Sequence, residues 1–212
     1  MTEPVPGVFI VFEGIDGSGK STQLRLLADV LRTRGLPVIE TFEPTKGVFG
    51  RKIRNLYKDR SIVTPQEELE LFIRDRREHV DQLIVPSLAA GINVLCDRYF
   101  LSSAAYQGAA GLDPDRIIAR HDFAPDPDLA LIIEIDPERS IQRIVEKRGD
   151  ALNEFEQLAS LKKVDGIFKQ LDLPYVKRID GTGSQADVHR LILEQVDNLF
   201  PAVEPSANRD VP

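Results

Sequence analysis

The sequence predicts a single α/β domain, with a five-stranded parallel sheet covered by helices on both faces. Short apolar runs of strand character alternate along the chain with longer segments in which apolar residues recur at helical spacing. This alternation is typical of a parallel sheet wrapped by helices. The 212 residues are enough for one domain with a substantial buried core.

Composition and charge narrow the class of protein. The chain is 42% hydrophobic and 29% charged, as expected for a soluble globular protein, and no apolar run is long enough to span a bilayer. Its net charge of −7 argues against a nucleic-acid partner but not against a local basic pocket. The single cysteine, Cys96, excludes an intramolecular disulfide and fits a cytoplasmic location. We interpret Cys96 as a core residue rather than a reactive thiol.

The first elements follow one another at short intervals. Residues 8–12, β-branched and aromatic throughout, are typical of a strand buried on both faces. A helix is predicted over 18–34, where an apolar stripe ends at Gly35. Strand character returns at 36–42, and a short helix is predicted over 50–58.

The longest predicted helix runs over 65–90. Thr64 suits the N-cap, Pro65 suits the first helical position, and Glu67 completes a capping box. Pro86 is expected to kink this helix, because proline lacks an N–H and its ring clashes with the preceding turn.

The rest of the chain supplies three further strands, at 92–97, 129–135 and 175–180. The run at 129–135 is the most apolar of the three. We expect a folded core over about 7–199 and a loose tail over 201–212, which is rich in proline and polar residues. The remaining helices are predicted at 115–121, 137–147, 152–171 and 185–199.

A glycine-rich motif follows the first predicted strand. Gly14, Gly19, Lys20 and Ser21 fill the pattern G-x-x-x-x-G-K-[ST], between a buried strand and an amphipathic helix. Such a loop lets backbone N–H groups converge on phosphates, while Lys20 reaches the terminal phosphates and Ser21 binds Mg²⁺. The motif predicts a P-loop NTPase fold that binds a nucleoside triphosphate, but it does not identify the acceptor. The predicted triphosphate-binding residues are Gly14, Ile15, Asp16, Gly17, Ser18, Gly19, Lys20, Ser21 and Thr22.

Polar side chains also follow other predicted strands, at the sheet edge where ligands bind in open α/β folds. Asp97 closes a buried strand and is well placed to hold the water ligands of Mg²⁺ opposite Ser21. Arg98 beside it could clamp an anionic phosphate bidentately. A polar loop that caps its own helix would show the same pattern. Hydroxyl, aromatic and amide groups follow at helical spacing, at Ser102, Ser103, Tyr106 and Gln107.

The long predicted helix carries a second candidate pair. Phe72 and Arg76 share a helix face, so a flat ring and a planar guanidinium could frame one flat ligand. The residues alone favour the simpler alternative, in which Phe72 belongs to the core and Arg76 is an exposed helix charge.

Several strings in the chain resemble, in the same order, those of thymidylate kinases. They are "FEGIDGSGKSTQ", "EPT.G..G..IR", "LF...R", "DRY..SS.AYQG", and "KRG" before "FE", and together they cover about 9–199. The fourth string is far more specific than the phosphate loop. The resemblance implies a nucleoside monophosphate kinase with a mobile lid over about 143–156. It would transfer the γ-phosphoryl group of ATP to thymidine monophosphate (dTMP), with Mg²⁺, as a homodimer.

The resemblance assigns one group of residues to the thymine base. Phe72 would stack on thymine, and Arg76 would bond a base carbonyl. Ser102 and Ser103 would lie beside the base. Glu43, from the "EPT" string, is placed in the same acceptor site.

A second group is assigned to the sugar and the acceptor phosphate. Arg98 would bind the phosphate, and Asp16 would accept a hydrogen bond from the sugar 3′-hydroxyl. Tyr106 would crowd the 2′ position and so favour deoxyribose, with Gln107 nearby.

Members of the family keep a catalytic arginine either in the phosphate loop or in the lid. The loop of this chain has no basic residue apart from Lys20, so the lid is expected to supply the arginine. Among Arg143, Lys147 and Arg148, we expect Arg148 to act in catalysis and Arg143 to lie beside the adenine, although each could be a solvated helix-end charge. A cation at this place neutralises charge as the phosphoryl group moves. The predicted catalytic residues are Lys20, Arg98, Arg143 and Arg148.

The chain departs from the family pattern at two places. Phe42 stands where many bacterial members carry an arginine, and Lys46 could supply the charge but not the same bidentate contact. In the lid, Asn153 and Glu154 stand where an arginine is expected. Two alternatives therefore stay open: a kinase of another nucleoside monophosphate, and a nucleotide-binding regulatory protein with weak catalysis.

Overall fold

The computed structural model describes residues 5–57, 62–148 and 157–200. Within these ranges, five strands form one parallel sheet in the order β2-β3-β1-β4-β5. The predicted α/β class with a five-stranded parallel sheet is therefore confirmed. The strands are β1 (Phe9–Glu13), β2 (Val38–Phe42), β3 (Asn93–Asp97), β4 (Leu129–Glu134) and β5 (Val176–Asp180).

Helices cover both faces of the sheet. In the described part of the chain none of them is long and apolar enough to cross a membrane. A π-helical turn over Val80–Ile84 joins α3 to α4, and a 3₁₀ turn over Asp197–Leu199 follows α9. The helices are α1 (Lys20–Thr33), α2 (Val48–Leu56), α3 (Pro65–His79), α4 (Val85–Ala89), α5 (Phe100–Ala109), α6 (Pro114–Ala119), α7 (Pro137–Arg148), α8 (Leu158–Phe168) and α9 (Gln185–Val196).

The central strand β1 divides the core into two layers, because its side chains alternate between the faces of the sheet. Phe9 and Val11 join the cluster beneath α3, α5 and α8, whereas Ile10 and Phe12 join the cluster beneath α1 and α9. Cys96 of β3 is fully buried in the first cluster, which confirms that the cysteine is a core residue.

The long predicted helix starts as expected but continues differently. Thr64 and Glu67 form the capping box at the start of α3. Just before Pro86 the chain makes a π turn, in which the Val85 N–H donates to the carbonyl of Val80. A proline ring clashes with the carbonyl four residues earlier, and a wider turn relieves that clash.

Other helix boundaries also differ from the predictions. The helix predicted at 50–58 is α2, which begins and ends two residues earlier. The helix predicted to reach residue 171 ends at Phe168. Arg178 of β5 donates to the carbonyls of Phe168, Lys169 and Leu171 at 3.0, 3.1 and 2.8 Å, so a side chain from another element satisfies this helix end. The predicted stretch 152–156 and the tail over 201–212 lie outside the described residues.

Candidate functional site

The glycine-rich loop leaves β1 at the carboxyl edge of the sheet and leads into α1. Gly14 and Gly17 have φ values of 129° and 76°, a region that side chains with a Cβ rarely adopt. A Cβ on Gly14 would come within 2.6 Å of the Ile133 carbonyl, and one on Gly17 equally close to the Ser140 carbonyl. Both positions therefore require glycine for conformation and for space.

A cleft of about 640 Å³ opens beside this loop. Its walls are residues 16–23 of the loop and the first turn of α1, Asp97 and Arg98, the α7 residue Arg143, and the turn before α9. Lys20 is buried and its Nζ donates to the Ile15 carbonyl at 2.9 Å, so the lysine lies over its own loop. Burial, with the charge of Arg98, lowers the pKa of Lys20 to about 8.

Two oxygen donors meet at one side of the cleft. The Ser21 hydroxyl donates a hydrogen bond to the carboxylate of Asp97, which ends β3 next to β1. A hydroxyl and a carboxylate are the hard oxygen ligands that Mg²⁺ prefers. Across the described residues, no group of three His, Cys, Asp or Glu side chains could hold a metal ion alone. The Ser21 hydroxyl and the Asp97 carboxylate could supply two oxygen ligands to Mg²⁺.

Arg98 connects the end of β3 to the phosphate loop. Its Nη2 lies 2.6 Å from Asp16 Oδ1, and its Nη1 donates to Ser102 Oγ at 3.0 Å and to the Gly14 carbonyl at 3.1 Å. The Tyr106 hydroxyl donates to the other oxygen of Asp16 at 2.9 Å. Burial would raise the pKa of Asp16, but the charges of Arg98 and Lys20 outweigh it and lower that pKa to about 2. The carboxylate is therefore ionised at neutral pH.

Arg76 lies in a buried polar network rather than at the surface. It is 1% exposed, its Nε donates to Glu43 Oε2 at 2.8 Å, and its Nη2 lies 2.6 Å from the same oxygen. Both Nη atoms also donate to Ser103 Oγ at 3.2 Å. The alternative of an exposed helix charge is therefore wrong for Arg76. Phe72, one turn earlier in α3, is half-buried.

Two histidines complete this network, and the sequence does not single out either. His79 Nδ1 lies 3.0 Å from Glu43 Oε1, and its Nε2 lies 2.7 Å from Thr41 Oγ1. His121 Nδ1 donates to the Ile117 carbonyl at 2.8 Å, which leaves Nε2 to accept from Arg76 Nη1 at 2.6 Å. Burial and the charge of Arg76 lower the pKa of His121 to about 3, so its ring is neutral.

The polar residues at helical spacing lie along α5 and point to different neighbours. Ser102 and Tyr106 contact Arg98, whereas Ser103 contacts Arg76. Gln107 is fully buried, and its amide donates to Glu68 of α3 at 3.0 Å.

Glu13 is a further buried acidic residue that the sequence analysis missed. It ends β1, is 0% exposed, and accepts hydrogen bonds from the first turn of α5. Burial raises its pKa to about 7, although the hydrogen bond from Ser102 and the charge of Arg98 act in the opposite direction. A carboxylate at the end of an apolar strand, directly before the glycine loop, is the pattern that could have indicated it.

The predicted lid is described only at its start. Arg143 lines the cleft, and its Nη2 donates to the Gly181 carbonyl at 3.1 Å. Arg148 is the last residue of α7. Its side chain and that of Lys147 are outside the described part of the chain, as are Asn153 and Glu154.

Phe42, the position at which the chain departs from the family pattern, lies at the carboxyl end of an edge strand. It ends β2, pairs in register with Asp97, and is 40% exposed. The Nζ of Lys46 lies 5.8 Å from the centroid of its ring. The charge of Lys46 thus lies over the aromatic ring of Phe42.

Comparisons with known proteins extend over nearly the whole chain. The family model described as thymidylate kinase matches residues 12–192. The thymidylate kinase of Desulfotalea psychrophila is 54% identical over 195 residues, which cover 92% of this chain and 96% of that protein. The thymidylate kinase of Brachyspira hyodysenteriae is 44% identical over 193 residues, which cover 90% and 93%. That of Xanthomonas campestris pv. campestris is 45% identical over 184 residues, which cover 87% and 80%.

Proposed function

The chain belongs to the thymidylate kinase family, and from this premise we propose how its residues carry out the reaction. The protein transfers the γ-phosphoryl group of ATP to dTMP, giving dTDP and ADP, a step of dTTP biosynthesis. The observation that carries the assignment of residues is the 2.6 Å ion pair between Arg98 and Asp16. This pair joins the acceptor side to the phosphate loop, so the two reacting phosphates would meet beside it.

The donor site is proposed to be the cleft beside the phosphate loop. The N–H groups of the loop and the start of α1 favour the phosphates of ATP, because they present positive partial charge. Lys20 would leave the Ile15 carbonyl and bond the terminal phosphates. Arg143, on the cleft wall, would lie against the adenine.

Ser21 and Asp97 are proposed to hold Mg²⁺. Their hydrogen bond brings two hard oxygen donors to one point beside the loop. When bound, the ion neutralises negative charge on the phosphates of ATP.

The acceptor phosphate and sugar are proposed to bind around Arg98. The guanidinium would turn part of its hydrogen bonding from Asp16 to the phosphate. Asp16, ionised at neutral pH, would accept from the sugar 3′-hydroxyl. Tyr106 would stand at the 2′ position, with Gln107 behind it. A strong general base is unnecessary, because the acceptor phosphate is already anionic.

The thymine base is proposed to bind against α3 and α5. Phe72 would stack on the ring, with Ser102 and Ser103 at its side. Arg76 would bond a base carbonyl with one of the N–H groups that it now shares with Ser103 Oγ, since these 3.2 Å bonds are its longest. Glu43 would contribute to this site by holding the guanidinium in place.

We also propose that 143–156 acts as a lid that closes over both nucleotides and excludes water, with Arg148 as the catalytic cation. Excluding water directs the phosphoryl group to dTMP rather than to hydrolysis. The whole chain is proposed to be one kinase domain that works in the cytoplasm as a homodimer, formed through the long helices over 65–90. The resemblance to the family supports the dimer.

A panel of acceptors tests this function. The purified protein is assayed for ADP release from ATP and Mg²⁺ with dTMP, dUMP, UMP or CMP. We expect dTMP to be the best acceptor, by about tenfold or more over the ribonucleotides. Equal turnover of UMP or CMP would reject the assignment to dTMP.

The control for the panel is Lys20→Ala. It is expected to lose two orders of magnitude or more in rate, because the lysine stabilises charge on the transferred phosphoryl group. ADP release by the wild type no higher than that of Lys20→Ala with every acceptor would favour the alternative of a regulatory protein.

A further inference from the structure

The carboxylate of Glu13 accepts three hydrogen bonds from the turn that begins α5. Its Oε1 accepts from the backbone N–H groups of Tyr99 at 2.8 Å and Ser102 at 3.2 Å, and its Oε2 accepts from Ser102 Oγ at 2.5 Å. Tyr99 is the N-cap residue of α5 and caps it with no side chain of its own. The carboxylate of β1 therefore accepts from the N–H of the α5 N-cap residue, Tyr99, and shares the N–H of Ser102 with the Tyr99 carbonyl at 3.1 Å.

The backbone held in this way is strained. Arg98 precedes Tyr99 and has φ of 74°, and no other non-glycine residue in the described ranges has a positive φ. Such a conformation persists only where the surroundings fix it. Here the Arg98 N–H donates to the Phe12 carbonyl at 2.9 Å, and the next N–H donates to Glu13. The end of β1 thus fixes the turn on both sides of Arg98.

The same carboxylate also reaches the side chain of Arg98. Ser102 Oγ donates to Glu13 Oε2 and accepts from Arg98 Nη1 at 3.0 Å. One hydroxyl therefore links a fully buried carboxylate to the guanidinium. The opposite end of that guanidinium, Nη2, donates to Asp16 in the phosphate loop at 2.6 Å.

We propose that Glu13 is a positioning residue for the acceptor phosphate: it fixes the backbone turn at Arg98 and, through Ser102, aims the guanidinium of Arg98. The proposal rests on the proposed role of Arg98. Glu13 is 0% exposed, so it acts through its neighbours rather than by contact with substrate.

The test compares a ligand that carries the phosphate with one that lacks it. Dissociation constants of dTMP and of thymidine are measured for the full-length wild type and for Glu13→Gln. The measurements are made at pH 8, above the pKa of about 7 of Glu13, so that the variant is compared with an ionised carboxylate. The loss of one charge-assisted hydrogen bond should raise the dissociation constant of dTMP about tenfold. The dissociation constant of thymidine should change less than about twofold, and so should the KM for ATP.

The matched control is Asp128→Asn. Asp128 Oδ2 accepts from the Phe9 N–H at 2.7 Å, so its carboxylate also binds backbone of β1, but at the opposite end of that strand. The ratio of the two dissociation constants should not change in this variant. Should Glu13→Gln not fold, Glu13→Asp keeps the charge, shortens the side chain, and should show the same selective loss of dTMP.

Two results would overturn the proposal. In one, Glu13→Gln binds both ligands as the wild type does; in the other, it weakens both equally, as general loosening of the fold would. These results differ from failure of the function itself. A wild type that binds dTMP no better than thymidine would remove the role of Arg98, and this proposal with it.

Discussion

At the scale of single residues, the hydrogen bond between Arg76 and a neutral histidine is a contact that depends on pH. The His121 ring accepts a 2.6 Å hydrogen bond from a guanidinium, so protonation would set two cations against each other inside the protein. This places the pKa of His121, about 3, far below its ordinary value of 6.5. Acid should therefore destabilise the fold through this residue.

The direction in which the free energy of unfolding changes with pH follows from proton binding. The unfolded chain takes up a proton at His121 below pH 6.5 and the folded chain does not, so the free energy of unfolding falls as pH falls from 6.5 towards 3. By pH 5 this residue should account for about 2 kcal/mol of that decrease. His121→Gln keeps an acceptor for Arg76 but does not titrate. Between pH 7 and pH 5 its free energy of unfolding should therefore fall by about 2 kcal/mol less than that of the wild type. Urea unfolding at both pH values measures the difference. Parallel losses in the two proteins would contradict the assignment.

The sequence predicts one part of the site at this scale and not the other. The phosphate loop is predictable because its residues are consecutive and their conformation is set by glycines such as Gly14 and Gly17. The network of Arg76 is not predictable, because its partners Glu43 and His121 are 33 and 45 residues away along the chain. Only the packing of β2, α3 and α6 brings them together. The same is true of Glu13, whose partners lie 86 and 89 residues away.

At the scale of elements, α3 carries the residues proposed to read the base, and its start depends on a capping box. The Glu67 N–H donates to Thr64 Oγ1 at 3.2 Å, and the Thr64 N–H donates to Glu67 Oε2 at 2.8 Å. Thr64→Ala should lower the free energy of unfolding by about 1 kcal/mol, because the Glu67 N–H loses the Thr64 hydroxyl that accepts its hydrogen bond. Urea denaturation measures this change.

A control for that substitution is Thr33→Ala. The Thr33 hydroxyl donates to the Asp29 carbonyl within α1, a bond that caps nothing. Thr33→Ala should lower the free energy of unfolding by less than about 0.5 kcal/mol. Equal effects of the two substitutions would show that the capping box does not set the start of α3.

Elements were predictable where their determinants are local. The start of α3 follows from Thr64, Pro65 and Glu67, which are neighbours in sequence. The end of α8 was not predictable, because the carbonyls at this end accept hydrogen bonds from Arg178, which belongs to another element, β5. The π turn before Pro86 was missed for a different reason: a proline indicates that a helix must adjust, but not on which side.

At the scale of the whole molecule, ligand binding and folding are linked. A ligand that binds only the folded chain adds about 2.7 kcal/mol at a concentration of 100 times its dissociation constant. For a chain of this size, each kcal/mol raises Tm by about 2–4 °C. ATP with Mg²⁺ should therefore raise Tm by about 5–10 °C in a thermal melt. Chelation of the ion with EDTA should remove most of this increase, and Ser21→Ala should make the increase independent of the ion.

The increase in Tm from dTMP alone is the control for this experiment, because the acceptor is proposed to bind through Arg98 and not through the ion. That increase should survive EDTA. An ATP effect that is equally insensitive to EDTA would reject the magnesium site at Ser21 and Asp97.

The fold class was predictable at this scale, but the order of strands was not. Alternating strands and helices imply a parallel sheet, yet many orders would satisfy the same pattern. The observed order puts β1 and β3 side by side, which brings the phosphate loop next to Arg98. The site therefore depends on strand order as much as on the motifs.

The central position of β1 also bears on how the protein is made. β1 is synthesised first, but its neighbours come much later, since Phe9 pairs with Val94 and Ile10 with Leu129. At translation rates of about 5–20 residues per second, the second neighbour emerges on the order of ten seconds after β1. During that interval the phosphate loop is already synthesised but has no sheet to hold it. The nascent chain should therefore acquire nucleotide affinity only after more than half of it has left the ribosome.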